Sequence, residues 1–338
     1  MSGMNRDCLI TVSSPAEVVA VAPYLLGFHP ADSLVVLGLV GRLVDFAARY
    51  DLPPDEDAAY AEIAEVIARQ GAGLVVLLGY GPPGTVTGAV LGVGRALVRH
   101  GVVVLDVLRV ADDRWWSYRG GPAGGTRCAP GLAAEAVFRG MVALPSRKAM
   151  AAQVAPVEGA ARREMAAATV RAKARLADLA ADDLKAQRGG QWVRKAGREA
   201  IRSAERAARS GRKLSDDEVA WLGVLLVQLV IVDYAVDRSG EEEWRLLLWA
   251  EVTRRVDPEY APGPACLLAY AAWQAGDGVL ARVAIDRALR EDADHRISAA
   301  LDRLLAAGLR PEAVVRVRVP QERGNTRRRN RKRTRSST

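Results

Sequence analysis

The stretch PYLLGFHPADSLVVLGL (Pro23–Leu39) joins a helix-forming segment to a strongly apolar run, and it decides the architecture of the first half of the chain. The residues before it carry helix start signals, with Ser14 as the N-cap and Pro15 at the first helical position. Gly27 tolerates the left-handed conformation that ends a helix, and Pro30 prevents the helix from continuing. The apolar run has the length and composition of a buried strand. This stretch therefore predicts a helix, a turn and a strand.

The sequence on either side of this joint alternates between strand and helix patterns. The predicted strands are DCLITVS (Asp7–Ser13), SLVVLGLV, its hairpin partner RLVDFAARYDL, GLVVLLGYG, VVVLDVLRV and the return strand RWWSYR. The predicted helices are SPAEVVAVAPYLL, DEDAAYAEIAEVIARQG, GTVTGAVLGVGRALVRHG and a closing helix in AAEAVFRGMVALPSR. Strands that alternate with helices in this way predict an α/β layered domain with a mixed sheet, over residues 1–147.

From about Lys148 the strand patterns disappear, and the sequence predicts an all-α, repeat-like domain over residues 148–310. Its predicted helices are two long charged segments, AARREMAAATVRAKARLADLAADDL and VRKAGREAIRSAERAARSG, followed by Asp216–Asp237, Glu241–Arg255, Pro264–Ala275, Gly278–Arg290 and Ile297–Ala307. Residues 264–292 resemble one tetratricopeptide repeat. Small residues stand at its packing positions (Ala269, Ala272, Ala281 and Ala288), and Gly276 and Asp277 stand at its turn. Ala293 departs from the usual proline, and solenoids need about three stacked units, so an isolated helical hairpin is the alternative.

Four segments of the chain together resemble the domain-of-unknown-function 4192 family of actinobacteria. They are SPAEVVAVAPYLLGFHPADSLVVLGLVG, VADDRWWSY, LPSR and AAWQAGDGVLARVAIDRAL. The resemblance implies an architecture but no activity and no catalytic residues. Members often carry cysteines in the loop after WWSY. That loop holds only Cys128 in this chain, so no metal site is expected there.

The net charge of +8 belongs mostly to the end of the chain. Residues 321–338 contain eight basic side chains and one acidic side chain, which accounts for seven of the eight net positive charges. We expect residues 311–338 to form a disordered basic tail because they are too polar to fold alone. Such a tail is either an electrostatic arm for RNA or DNA or a solvated segment that adds solubility. The candidate nucleic-acid-binding residues are Arg327, Arg328, Arg329, Arg331, Lys332, Arg333 and Arg335.

The cysteines and the apolar segments predict a cytoplasmic protein. Cys8, Cys128 and Cys266 are odd in number, far apart and without a CxxC pair, which argues against a disulfide framework and against a zinc site. The first residues lack the apolar region of a secretory signal. The most apolar window, VAWLGVLLVQLVIV, is shorter than the roughly 20 residues of a membrane span, so it predicts a buried helix.

His29, Asp32 and Ser33 bring the residue types of a hydrolase triad within five positions. A triad needs the histidine hydrogen-bonded to both partners at once, and residues this close in sequence seldom meet that geometry. A helix stop and a turn explain the same residues. If the first two buried strands are parallel, this loop lies at the amino end of its strand, opposite the edge at which α/β sheets bind ligands. A structural role is favoured, and a functional one stays open.

The segment GYGPPG follows a strand, opens a helix and fits the G-x-G-x-x-G pattern of nucleotide-binding loops. Its candidate cofactor-binding residues are Gly79, Gly81 and Gly84, with Asp106 on the next strand as the acidic partner. Pro82 and Pro83 oppose this interpretation because they have no N–H to offer a phosphate. A plain strand-to-helix turn is the alternative, so no cofactor is predicted outright.

Trp115, Trp116 and Tyr118 could stack nucleic-acid bases, but core or interface packing is the favoured role for aromatic residues at this spacing. The sequence as a whole favours a non-enzymatic scaffold for protein interaction or regulation, with its partner bound by the helical domain. The alternatives are a nucleotide- or ligand-binding enzyme with its site at Gly79–Gly84, and a nucleic-acid-associated protein that works through the tail. The oligomeric state is left open.

Overall fold

A computed structural model describes residues 10–71, 73–128, 131–138 and 141–311, and it confirms the mixed α/β sheet followed by helices. The strands are β1 (Ser33–Val40), β2 (Leu43–Asp51), β3 (Leu74–Tyr80), β4 (Val103–Ala111), β5 (Arg114–Ser117) and β6 (Thr126–Arg127). They form one sheet in the order β2-β1-β3-β4-β5-β6. The helices of the first half are α1 (Pro15–Leu26), α2 (Asp57–Arg69), α3 (Pro83–Arg99) and α4 (Gly131–Phe138).

The second half is helical throughout its described length. Its helices are α5 (Arg147–Ala152), α6 (Gly159–Lys185), α7 (Gln191–Arg209), α8 (Asp216–Leu225), α9 (Leu229–Val236), α10 (Glu243–Arg255), α11 (Pro262–Gln274), α12 (Gly278–Glu291) and α13 (Arg296–Ala306). A single 3₁₀ turn, Pro258–Tyr260, precedes α11. The basic tail, with all seven of its candidate residues, lies outside the described part of the chain.

The connection between α1 and β1 has the predicted local structure. The Ser14 side chain caps α1 by accepting a hydrogen bond from the Glu17 N–H at 3.4 Å. Gly27 ends α1 with φ +74°, in the left-handed region. The turn after α1 is also held by a distant segment of the chain, because the His29 N–H donates to the Leu144 carbonyl at 2.9 Å. Local capping and turn chemistry therefore determine this segment.

The direction of β1 differs from the parallel arrangement considered above. β1 runs antiparallel to both β2 and β3, and β3 and β4 are parallel. Ser33 at the start of β1 therefore lies opposite Tyr80 at the end of β3. The expectation that the His29–Ser33 loop sits opposite the GYGPPG loop is wrong, since both lie at one edge of the sheet. Strand direction comes from long-range pairing, which the composition of a buried apolar run does not encode.

Three predicted elements need correction. Of the predicted strand Asp7–Ser13, residues 7–9 lie outside the described residues, and residues 10–13 form a single bridge, Thr11 to Leu43. The closing helix stops at Phe138, and Leu144 instead bridges to Phe28. The predicted helix Asp216–Asp237 is two helices, α8 and α9, bent by 109°.

The bend between α8 and α9 makes room for α11. A Cβ on Gly263 would lie 2.8 Å from the Leu226 backbone oxygen, so α11 begins directly against the broken turn. Within the described residues no single helix is long and apolar enough to cross a membrane. α8 and α9 reach that length and composition only when counted together.

The buried apolar side chains form two clusters, one on each face of the sheet. The smaller cluster lies under α2 and α3. The larger one packs α1 on the opposite face and continues into the helical half. The boundary near residue 147 stays a prediction. α11 and α12 do form the predicted hairpin, in which the four small residues are fully buried and the Asp277 carboxylate caps α12. Its relation to repeat proteins stays a prediction.

Residues 308–310 return from the helical half to the sheet, and we call this contact the clasp. The Gln70 side chain donates to the Gly308 carbonyl, and Arg310 forms an ion pair with Asp45 on β2. The Trp273 indole N–H donates to the Leu309 carbonyl at 3.0 Å and fixes the segment from the other side. A second link, from Arg147 to Asp286 at 2.6 Å, ties α5 to α12.

Candidate functional site

The glycines of the GYGPPG loop have structural reasons for being glycine. A Cβ on Gly79 would lie 2.8 Å from Val90, so its absence lets α3 pack closely on β3. Gly81 has φ +140°, a conformation that other residues rarely adopt, and its N–H donates to the Val110 carbonyl at 3.0 Å. Gly84 faces open space at the start of α3. Two of the three candidate glycines are therefore explained by packing and backbone geometry.

The amino end of α3 offers few donors to a phosphate. The Gly81 N–H is already used, and Pro82 and Pro83 have none. The N–H groups of Thr85 and Val86 both donate to the Pro82 carbonyl, at 3.1 and 3.2 Å. An anion site at a helix terminus depends on free amides pointing outward. Nucleotide binding at Gly79, Gly81 and Gly84 stays a prediction.

Asp106 does not lie beside the glycine loop. It pairs with Val76, four residues before the end of β3, which places it about 13 Å from that edge. Its carboxylate accepts hydrogen bonds from the Val107 N–H at 2.8 Å and from the Ser117 hydroxyl at 2.7 Å. These bonds hold an irregularity in the pairing of β3 with β4. Asp106 therefore has a structural role in the middle of the sheet.

The acidic residue that the fold does bring to the loop is Asp32. Its carboxylate lies 3.2 Å from the point where a Gly81 Cβ would stand, and its own φ is +43°. The antiparallel direction of β1 brings it there. Among the described residues no hydrogen bond joins the side chains of His29, Asp32 and Ser33, so these residues do not form a triad.

Ser33, Tyr80, Val110 and Trp115 lie in register across four strands at this edge. We call them the buried polar row, because the Ser33 hydroxyl, the Tyr80 hydroxyl and the Trp115 indole N–H are buried without a hydrogen-bond partner in the described structure. Ser33 is 0% exposed. Burial also raises the pKa of Tyr80 well above its ordinary value.

Cys128 lies near the buried polar row, close enough to Tyr80 for the two groups to interact electrostatically. Burial, and then the nearby Asp113, raise the pKa of the Cys128 thiol. A thiol with a raised pKa is protonated at neutral pH and is a weak nucleophile. In the described ranges no cluster of three or more histidine, cysteine or acidic side chains could hold a metal ion.

The ring of Trp116 is half-buried and is contacted by its neighbours. The Arg109 guanidinium lies 3.5 Å from the ring centroid. The ring N–H donates to the Ala123 carbonyl at 3.1 Å, and a Cβ on Gly125 would lie 2.4 Å from the ring. Trp115 packs against the larger core cluster on the other face. This arrangement favours packing over base stacking for these tryptophans.

An open groove lies between α3 and β4, and we call it the arginine-rimmed groove. Its volume is about 480 Å³. Its lining residues are Leu91, Gly94, Arg95, Val98, Arg99, Val104, Val107 and Arg119. The groove lies where α3 leaves part of β4 uncovered on this face. Val98 is left 62% exposed as a result.

The groove combines an apolar floor with a positive rim. Arg95, Arg99 and Arg119 are exposed along it, and none of its lining residues is acidic. Arg119 is held in place because it donates to the Val104 carbonyl at 2.6 Å. Arg99 reaches Asp57 at 3.8 Å, but both groups are exposed and the pair is weak. This groove was not predicted from the sequence, although Val98 between Arg95 and Arg99 on a predicted helix was a signal for it.

The chain therefore folds into a mixed α/β sheet followed by a helical half, with an open groove on one face of the sheet. The family model described as Domain of unknown function (DUF4192) matches residues 15–312. The chain belongs to this family, which confirms the resemblance noted from the sequence. No curated protein and no solved structure matches the chain.

Proposed function

We propose that this protein is an interaction module that binds an acidic, partly apolar segment of a partner protein in the arginine-rimmed groove. The observation that supports the proposal is the exposed apolar floor bordered by three arginines. Exposed apolar surface with a polar border is typical of binding sites. An amphipathic helix lying in an apolar groove is a recurring mode of peptide recognition.

Charge complementarity favours an acidic partner segment in the arginine-rimmed groove. Glutamate or aspartate side chains beside the apolar anchors of a partner helix would meet Arg95, Arg99 and Arg119. The chain's own residues 321–338 carry a net positive charge, so the rim would repel them. An acidic partner is therefore favoured over self-occupation by the tail.

The proposed surface lies on the α/β half rather than on the helical half that the sequence analysis favoured. The small residues of the α11–α12 hairpin are fully buried within it and offer no surface to a partner. Beside α3, by contrast, Val98 is exposed and Leu91 is half-buried, so the groove offers apolar surface to a partner.

Binding of two designed peptides to the full chain tests the proposal. The first is a labelled amphipathic helix with leucines on one face and glutamates on the other, and the second replaces every glutamate by lysine. We expect fluorescence anisotropy to show binding of the acidic peptide and none of the basic peptide, because only the first complements the rim. Val98→Glu should weaken the acidic peptide at least tenfold by placing a like charge in the floor.

The matched control is Val103→Glu, since Val103 is also an exposed valine but does not line the groove, and its position next to Val104 on β4 places it on the opposite face of the sheet. This variant should bind the acidic peptide like the unaltered chain. Equal binding of both peptides, or equal loss in both valine variants, would overturn the groove as the binding surface.

The ligand-binding alternative at Gly79–Gly84 has its own test. A ligand present at 100 times its dissociation constant stabilises a protein by about 2.7 kcal/mol. A nucleotide that raises the melting temperature of the unaltered chain, but not of a Gly81→Ala variant, would support this alternative over the interaction module.

A further inference from the structure

Helix α7 carries a line of five cations on its exposed face, and we call this line the basic stripe. Its members are Lys195, Arg198, Arg202, Arg206 and Arg209, all exposed. They follow one another at intervals of three or four residues, so they lie on one side of the helix. At 1.5 Å per residue the stripe is about 21 Å long.

The opposite face of α7 is fixed in the core, so the stripe always points outward. Val193, Ile201 and Ala204 are buried there. A Cβ on Gly197 would lie 2.4 Å from Ile231, which shows how closely α7 packs on α9. Rotation of the helix would expose this apolar face, and the fold therefore determines the direction of the cations.

The nearby acids are largely used by other arginines. Glu205 is 4% exposed and accepts hydrogen bonds from Arg238 and, at 3.1 Å, from Arg245. Glu242 binds Arg245 at 2.7 Å. We call these four residues the buried ion network after Glu205 and Arg245, which are buried at its centre. Because the network takes up Glu205 and Glu242, most of the charge of the stripe is left for an external ligand.

Glu199 is the acid on α7 nearest to the stripe. It lies 3.9 Å from Lys195, and both side chains are exposed. Exposed pairs at this distance are weak, so a polyanion can replace Glu199 at little cost. Arg202 and Arg206, at the centre of the stripe, have no ion pair in the described part of the chain.

Two aromatic rings hold the outer arginines in place. The Arg198 guanidinium lies 5.4 Å from the Tyr234 ring centroid, and Arg238 lies 5.6 Å from the same ring. Arg209 lies 4.7 Å from the Trp244 ring centroid. These cation–π contacts restrict long side chains before binding, which lowers the entropy lost when a ligand binds.

We infer that the basic stripe binds the phosphodiester backbone of a nucleic acid without reading its sequence. A line of five cations about 21 Å long, four of them arginines, matches successive phosphates of one strand, and guanidinium groups bind phosphate through paired hydrogen bonds. An anionic membrane is the weaker candidate, since a membrane-binding helix inserts a row of apolar side chains. On α7 Val193 and Ile201 are buried, which leaves Trp192 as its exposed large apolar side chain. The inference is independent of the groove.

Fluorescence anisotropy with a labelled polyuridine RNA and a labelled DNA duplex tests this inference on the full chain. With about four phosphate contacts, affinity should fall about a hundredfold between about 50 and about 200 mM salt. Arg202→Ala combined with Arg206→Ala should weaken binding at least tenfold at low salt. It should also reduce the slope of log affinity against log salt by about two, because two phosphate contacts are lost.

Arg290→Ala combined with Arg303→Ala is the matched control. Both arginines are exposed, they lie on α12 and α13, and their loss removes the same charge. The tail is present in all three proteins, so its contribution cancels. Equal weakening in the two double variants would overturn the inference by showing that only total charge matters. Stripe-dependent binding to phosphatidylserine vesicles without binding to either nucleic acid would also overturn it.

Discussion

The buried ion network and the buried polar row bury polar groups in opposite ways. In the network, the Glu205 carboxylate is surrounded by two guanidinium groups that hydrogen-bond to it. In the row, the Ser33 and Tyr80 hydroxyls are neutral and have no partner in the described structure. A buried charge without a partner costs far more than a buried hydroxyl without one. The helical half should therefore depend strongly on one carboxylate, whereas the sheet edge should gain from losing its polar atoms.

Glu205→Gln tests the ion network at the carboxylate on which we expect its stability to depend most. The two arginines would keep their charge, and Arg245 would remain buried beside a neutral amide. We expect a loss of about 3 kcal/mol in the free energy of unfolding, measured by urea denaturation. Glu199→Gln on the same helix is the control and should cost under about 1 kcal/mol, because its ion pair is exposed. Similar losses in both variants would show that the network does not stabilise the helical half.

Gly197→Ala tests whether the network depends on close packing of α7 against α9. The new Cβ would lie 2.4 Å from Ile231, so one of the two helices must shift. Overpacking of this kind costs about 1 to 3 kcal/mol, and the gain in helix propensity offsets part of that loss. Gly84→Ala meets no neighbouring atom and should be neutral or slightly stabilising. Thermal unfolding of both variants measures the difference, and a Gly197 variant as stable as the Gly84 variant would contradict the packing.

Ser33→Ala and Tyr80→Phe test the free energy cost of the unpaired hydroxyls in the buried polar row. Each substitution removes a buried hydroxyl that has no described partner. We expect each to raise the free energy of unfolding by about 1 kcal/mol, since the cost of burying an unpaired polar group disappears. Chemical denaturation measures the change. A loss of stability would mean that these hydroxyls bind a water molecule or a small ligand.

Glu218 forms an ion pair with Arg212 that is more exposed than the centre of the ion network. Its pH-dependent contribution to the free energy of unfolding is the smallest effect that we expect. The Arg212 guanidinium, its hydrogen-bond partner, lowers the pKa of Glu218 to about 2, and the capping bond from the Ser215 N–H adds to this. Because the folded-state pKa lies below its ordinary value of 4.5, the stabilisation is present above that pH. It is lost as the pH falls from there to about 2. An NMR titration of the Glu218 carboxyl measures the pKa, and Arg212→Ala should raise it towards 4.5.

Local signals were sufficient to predict most of the first half. Ser14, Pro15 and Gly27 act within a few residues of themselves, and the structure shows the predicted cap, start and stop of α1. The β1–β2 hairpin follows from a turn at Gly41 between two strand patterns. The direction of β1 relative to β3 could not be predicted in this way, because it depends on pairing between distant segments. This direction decides that Asp32, rather than Asp106, lies beside Gly81.

The helical half shows two different limits of sequence analysis. The apolar run from Val219 to Val232 contains Gly223, but it has no glycine or proline at the break between α8 and α9, so its bend depends on α11 packing against Leu226. The basic stripe was visible in the sequence as cations spaced by three or four residues. It was overlooked because the net charge was assigned to the tail. Net charge does not report how charges are distributed over a folded surface.

The clasp has a consequence for the order in which the protein completes its fold during synthesis. Gln70 and Arg310 are 240 residues apart, and Asp45 and Arg310 are 265 apart. At about 5 to 20 residues per second, the ribosome adds the segment between Gln70 and Arg310 in about 12 to 50 seconds. Throughout that interval the sheet lacks the contacts of the clasp. The nascent first half must therefore stay soluble without the clasp until residues 308–310 have left the ribosome.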